Sequence, residues 1–395
     1  MTTLTDNLSS LFLLDPDVTF LNHGSFGACP RPVFESYQRW QLKLERQPVA
    51  FLDPDRGLSS WMRDARVALA GVVGADAEDV VGLTNATVGL NIVAQSLDLK
   101  PGDEILTTDH EYAALEKTWA YVARQTGAKI VVVKIPLPLT KEAQFTDTIL
   151  AGFSERTRVL FLSHITSATA LVFPIERAVA TAKARGIWTV IDGAHTPGHI
   201  PLNLKALDAD YYAGNCHKWM MAPKGSAFLY VRKEFQSAVN PLVISHGWTE
   251  DAGQPGVKGV FGNTPFIDGI EMQGTRDPSA WLTVTDAIKF GHEHNWKEVA
   301  ERCRMLVQDT ASRVAKLTGL PALSSPEFCA PQMVAMPVPK SEPMELKLFL
   351  LQQYGIEIPV FNWQDSTIVR VSAQGYNTQK HMDRLVAALQ KYLSK

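Results

Sequence analysis

Cysteine is scarce. The 395-residue chain has four, Cys29, Cys216, Cys303 and Cys329, widely scattered and without a CxxC pair. That excludes a zinc ribbon or a disulfide scaffold and fits a reducing compartment. No run of about 18 apolar residues occurs, so no membrane span is expected. An excess of one charge is missing as well: 38 basic and 41 acidic side chains leave a formal net charge of -3. Nucleic-acid binders carry basic patches and a high pI instead. The opening MTTLTDNLSSLFLLDPD has no basic n-region, and its apolar run LFLL is too short for a signal peptide. No repeat period of about 20–50 residues and no low-complexity tract appears, which removes solenoids and disordered tails. GxGxxG is absent from every strand end, against a dinucleotide site. These absences leave a soluble, globular, cytoplasmic protein with no nucleic-acid partner, no membrane and no metal.

What is present is a core-forming composition, 46% hydrophobic, in a chain long enough for about two domains. Strand-like and helix-like stretches alternate. Asp79–Leu83 reads as a strand and Thr87–Leu97 as the helix after it. Glu104–Thr107, the helical EYAALEKTWAYVARQTG, the apolar KIVVVKI, Arg158–Ser163, the helical IERAVATAKARG and IWTVID continue the theme. Short apolar strands separated by helices of about 10–15 residues predict an α/β fold with a mostly parallel sheet covered on both faces. Beyond about residue 280 the pattern changes to one long helical stretch and then a compact α+β alternation. Residues 16–280 are therefore read as a large α/β domain and 281–395 as a small α+β domain, joined by residues 1–15.

Ligands of such sheets bind beyond the carboxyl ends of the strands. After Val80–Leu83 stands Thr84-Asn85-Ala86-Thr87, small residues and a hydroxyl at a helix N-terminus, which suit either a phosphate or an ordinary helix cap. Asp192 ends the strand WTVID, and His195 follows. Lys218 comes just after the strand-like DADYYAG, in the apolar loop KWMMAP. A lysine in such a setting is no ordinary surface charge; desolvated, it becomes a nucleophilic amine able to form a Schiff base. A lysine, a carboxylate and a phosphate cradle together predict pyridoxal 5'-phosphate (PLP), which needs all three.

The segments FLNHGSFGACP (20–30), TNATVGLN (84–91), TTDHEYAALE (107–116), SHITSATALVFPI (163–175), VIDGAHTPGHIPLNL (190–204), GNCHKWMMAPKGSAFLYV (214–231), EMQGTRDPSAWL (271–282) and VRVSAQGYNT (369–378) resemble, in order, the class V (cysteine desulfurase-like) fold-type I PLP enzymes. Within them the chain is most similar to the isopenicillin N epimerase-like subgroup. The resemblance implies that Lys218 binds PLP and moves the α-proton, and that Asp192 pairs with the ring nitrogen. His195 stands where desulfurases have a glutamine that reaches the ring's phenolic oxygen. Ala86, Thr87, Asn215 and His217 match phosphate donors. Thr275 matches a phosphate contact from the neighbouring subunit, which implies a homodimer. Tyr112 aligns with a ring-stacking histidine, with His110 as competitor. Arg370 matches the arginine that grips the substrate carboxylate, and Asn22, His23 and Gly24 would line the substrate mouth. Thr166 and Ser167 fall near an asparagine that touches cofactor and substrate.

The expected substrate is a small amino acid. Persulfide-forming desulfurases need a mobile cysteine in a loop of the small domain, and the corresponding GIEIPVFNWQDST (355–367) has none. Epimerisation is the first expectation, with Tyr112, His110 or His23 as second acid/base. A C–S lyase releasing its product directly, an aminotransferase, or a non-catalytic binding module of the same fold are the alternatives.

Overall fold

The structure, a computed structural model, describes residues 8–254 and 256–394. Its main sheet has seven strands: β1 (Val80–Leu83), β2 (Glu104–Thr108), β3 (Lys129–Val133), β4 (Thr157–Ser163), β5 (Trp188–Gly193), β6 (Tyr211–Asn215) and β7 (Ala227–Val231). They lie in the order β1-β7-β6-β5-β4-β2-β3. β7 is antiparallel to both neighbours, and the remaining pairs are parallel. The expected mostly parallel sheet is there. Its antiparallel strand follows from the short stretch between β6 and β7, since a parallel return needs a crossover of about a dozen residues or more.

Side chains alternate across the strands and feed two cores. Leu106, Leu160, Leu162, Ile191, Tyr212 and Phe228 face one core, shared with helices Arg31–Arg46, Leu58–Val73, Glu142–Gly152 and Glu176–Ala184. Ile105, Val159, Phe161, Val190, Ala213 and Leu229 face the other, under helices Ala86–Ser96, Ala113–Thr126 and Pro265–Glu271. Because both faces are covered, the strands read as continuous apolar runs.

A second sheet, of order β9-β10-β8, comprises β8 (Met333–Val338), β9 (Val360–Trp363) and β10 (Ser366–Ser372), all antiparallel. Helices Trp296–Thr318, Pro343–Tyr354 and Gln379–Leu393 share its core through Leu306, Leu346 and Leu385. Thr19–Phe20 pairs in parallel with Ile356–Glu357, and the Leu8 amide donates to the Gly375 carbonyl at 3.2 Å.

The long helical stretch expected after residue 280 is instead broken into Ser279–Leu282, Val284–Glu293 and Trp296–Thr318. Asn295, at φ 44°, makes the second break; asparagine is among the few side chains that tolerate this left-handed conformation. The break divides the stretch between two cores. Val284, Ala287 and Phe290 pack with Met62 and Leu69 under the large sheet, whereas Cys303, Leu306 and Val307 pack against the small one. Among the described residues no helix is long and apolar enough to cross a membrane.

Candidate active site

The register of the large sheet brings its polar strand ends together. Ser163 of β4 pairs with Asp192 of β5, and Asp192 pairs with Ala213 of β6, two residues before Asn215. The chain then leaves β6 into the lysine loop. This loop folds back through Met221 (φ 59°), whose amide donates to the Lys218 carbonyl at 3.0 Å. The Ser226 carbonyl accepts from the amides of Cys216 and His217 at 3.1 and 3.3 Å. Gly27 (φ 71°) lies so close over the loop that a β-carbon there would stand 1.9 Å from the His217 carbonyl oxygen. Only glycine permits this approach.

Lys218 Nζ lies 3.0 Å from His195 Nε2, and the Trp219 indole N–H donates to His195 Nδ1 at 3.3 Å. Burial, reinforced by Arg370 and opposed by Asp192, lowers the Lys218 amine to about 7. Burial pushes Asp192 upward, while its bond from the Ala194 amide (2.8 Å) and the charge of Lys218 pull it back. His195 is held neutral by burial, with Lys218 and Arg370 adding to the effect.

These groups line one cavity of about 460 Å³. Ala86, Thr87, Asn215 and His217 form one end of it, at the N-terminus of helix Ala86–Ser96. Asn85 caps that helix, accepting from the Val88 amide at 2.9 Å, a bond worth about 1 kcal/mol. The Asn215 side chain accepts from the Ala86 amide at 2.8 Å. His217 Nδ1 lies 3.1 Å from the Ser226 carbonyl and must donate to it, which leaves Nε2 as the ring's other nitrogen. At the other end, Arg370 projects from β10. One of its nitrogens donates to Ser25 Oγ at 3.1 Å, and another to the carbonyl and, at 3.3 Å, the hydroxyl of Ser167. Its Nε has no partner among the described residues. Burial lowers this guanidinium to about 10. A buried cation bonded only to neutral acceptors suits an incoming carboxylate.

The structure separates several of the expected residues. Tyr112 borders the cavity and is 45% exposed. His110 does not; it is buried, 2.7 Å from the Thr169 hydroxyl and packed on Trp363 and Phe173. Gly24 is at the cavity wall. Asn22 instead accepts from Ser25 at 2.5 Å, and His23 is buried behind the lysine loop. His23 Nε2 is 3.0 Å from the Lys218 carbonyl and its Nδ1 3.0 Å from the Tyr376 hydroxyl. Thr166 is taken up by the Leu171 amide and the Thr169 hydroxyl, both at 2.8 Å. Thr275 borders a separate cavity of about 160 Å³ and does not reach Lys218 within one chain. Sequence reasoning passed over Ser25, Lys224 and Glu111. Ser25 and Lys224 line the site. Glu111 accepts from Thr108 (2.7 Å) and Ser163 (2.6 Å), and burial raises it to about 8. Only its place beside Tyr112 hinted at a role.

Residues 32–385 match the family model of the class V aminotransferases. The chain belongs to this family. It is 37% identical over 97% of its length to isopenicillin N epimerase of Amycolatopsis lactamdurans, covering 96% of that protein. It is 30% identical over 95% of its length to a probable chloroplastic L-cysteine desulfhydrase of Arabidopsis thaliana, of which it covers 83%. The fold superposes on the cysteine desulfurase CsdA of Escherichia coli with a TM-score of 0.81, at 24% identity, covering 100% of this chain and 99% of the other. The chain is thus a fold-type I, PLP-dependent enzyme. The donor set fits that cofactor: a buried amine of depressed pKa, a buried carboxylate and a helix N-terminus share one cavity with an unpaired cation.

Proposed function

We propose that this class V enzyme epimerises a small amino acid or amino-acid derivative at Cα. When bound, PLP supplies an electron sink for the negative charge left at Cα. Asp192 would hold the ring nitrogen, and Thr87, Asn215 and His217 the phosphate, with the Ala86 amide, engaged by Asn215, available to the phosphate only if that bond is released, while His195 would face the ring's phenolic oxygen. Arg370 grips the substrate carboxylate and so fixes the Cα–H bond relative to Lys218. Lys218 removes the α-proton, and an amine near 7 is well matched to that task at neutral pH. Tyr112 returns a proton from elsewhere in the cavity. In a homodimer, Thr275 would reach the phosphate of the neighbouring subunit's site.

One observation carries this reading. Of the three candidate second acids, Tyr112 borders the cavity with Lys218, while none of the four cysteines does. Burial pushes the thiols of Cys29 and Cys303 up to about 12, that of Cys329 to about 11 and that of Cys216 upward as well, which disfavours the thiolate that persulfide chemistry needs. The desulfhydrase relative favours a second reading, a C–S lyase that releases its sulfur product directly.

The test is incubation of the PLP-loaded protein with L-amino acids, cystine and sulfur-containing derivatives in deuterated water. Mass spectrometry and chiral analysis would follow the products. Deuterium at Cα with loss of chirality and no keto acid is the expected result. Pyruvate with a released thiol, persulfide or sulfide would replace it with the lyase, and pyridoxamine phosphate with an aminotransferase.

A further inference from the structure

Behind the lysine loop lie two buried imidazoles that touch neither end of the cavity. His23 comes from the N-terminal segment and His199 from the stretch after β5. Each bridges the small-sheet unit to the backbone of a residue at the centre of the site. The Lys218 carbonyl can only accept, so His23 Nε2 carries the proton and donates to it at 3.0 Å. His23 Nδ1 must then accept, and the Tyr376 hydroxyl donates to it at 3.0 Å. His199 repeats the arrangement with its nitrogens exchanged. The Gln332 amide donates to its Nε2 at 3.0 Å, and Nδ1 donates to the His195 carbonyl at 3.1 Å. The His199 ring also stacks on Trp219, with centroids 3.8 Å apart and planes 20° from parallel, and Trp219 is the indole that holds His195 Nδ1.

The donors belong to the same part of the chain as Arg370. Gln332 immediately precedes β8, whose Ala335 pairs with Arg370 in β10. Tyr376 lies six residues beyond Arg370 on the segment that leaves β10. Gln332 Nε2 closes the arrangement by donating to the Ala373 carbonyl at 3.1 Å and to Gln374 Oε1 at 3.0 Å. All these side chains are buried.

We infer that His23 and His199 are positioning residues, two rigid struts through which the unit that carries Arg370 sets the placement of Lys218 and His195. The His199 strut works only as a neutral ring, because a protonated imidazole has no acceptor for the Gln332 amide, whereas at His23 protonation would reverse the bond from Tyr376. Burial keeps both rings neutral, lowering each to about 3. Burial outweighs the Lys218 and His195 carbonyls, which favour protonation, and it is helped by Lys224 beside His23 and by His23 beside His199; on the small-sheet side stand Tyr376, Gln374 and the Gln332 amide.

The inference rests on Lys218 as the PLP lysine, and its first readout needs no substrate. In the PLP-loaded full chain, Tyr376→Phe removes one donor with little change of volume, and His23→Asn removes the ring it serves. Both should move the pH midpoint of the bound cofactor's visible band in the same direction. Both should lower kcat about tenfold with KM changed less than twofold, and the double variant should be no worse than His23→Asn alone, since the two act in series. A band midpoint that stays put while only thermal stability falls would overturn the inference, as would additive losses in the double variant. Should His23→Asn fail to fold, Tyr376→Phe with His199→Asn decides: an unmoved band in both refutes the struts. If no amino acid reacts at all, the reaction assignment fails while the band still reports on Lys218.

Discussion

The two walls of the cavity are built by different rules. One wall is the carboxyl edge of the large sheet: Asp192, next to last in β5, and Asn215, last in β6, lie on adjacent parallel strands, and the lysine loop springs directly from β6. Its backbone is fixed by ladder hydrogen bonds, and the two imidazoles behind it tie Lys218 and His195 to the small-sheet unit. The other wall is assembled from distant segments. Arg370 meets Ser25 and Ser167 across 345 and 203 residues of sequence. On the proposed reading the chemistry would stand on the sheet wall, where small errors of placement are costly, and the substrate's carboxylate would be met by the wall made of converging pieces. The difference predicts losses of different kinds.

The largest effect belongs to the sheet wall. Lys218→Ala should abolish the shifted visible absorption of bound PLP and cut turnover at least about a thousandfold, since nucleophile and base are lost together. Asp192→Ala should retain some PLP, measured by the cofactor content of the purified protein, but lose about a hundredfold or more in kcat, because an unprotonated ring is a poor sink. The converging wall should answer in binding. Arg370→Lys keeps the charge but not the two-pronged fork, so kcat/KM should fall about ten- to a hundredfold, with most of the change in KM and the PLP spectrum preserved. Turnover at the wild-type level in Lys218→Ala or Asp192→Ala would remove the sheet wall from the chemistry. A pure kcat loss in Arg370→Lys would erase the distinction between the walls.

Much of the sheet wall was legible in the sequence because strand ends are local. An apolar run, then Asp192 or the loop around Lys218, marks a position whatever the rest of the chain does. The α/β alternation was legible for the same reason. The converging wall was not. Nothing near Ser25 signals that it meets Arg370, and nothing near His23 distinguishes a mouth residue from one buried behind the lysine loop. Periodicity could not choose between His110 and Tyr112, two residues apart at the start of a helix; the packing of His110 on Trp363, more than 250 residues away, decides which of them borders the cavity. The break at Asn295 escaped notice because asparagine is unremarkable within a helical pattern until the two cores it separates are known.

Within the large sheet the one antiparallel strand, β7, has a consequence of its own. It turns the lysine loop into a hairpin connection, anchored at both ends by neighbouring strands of one sheet: Asn215, where the loop begins, is the direct ladder partner of Ala227, where it ends. A closed loop this short has little conformational entropy left to lose. The segment that follows Asp192 leads away toward helix Leu204–Leu207 and returns only at β6. Lys218 is thus carried on the more tightly tethered of the two strand-end segments. Length changes within 216–226 would loosen that tether directly, and the loss would appear as disorder at Lys218 before any other wall of the cavity was altered.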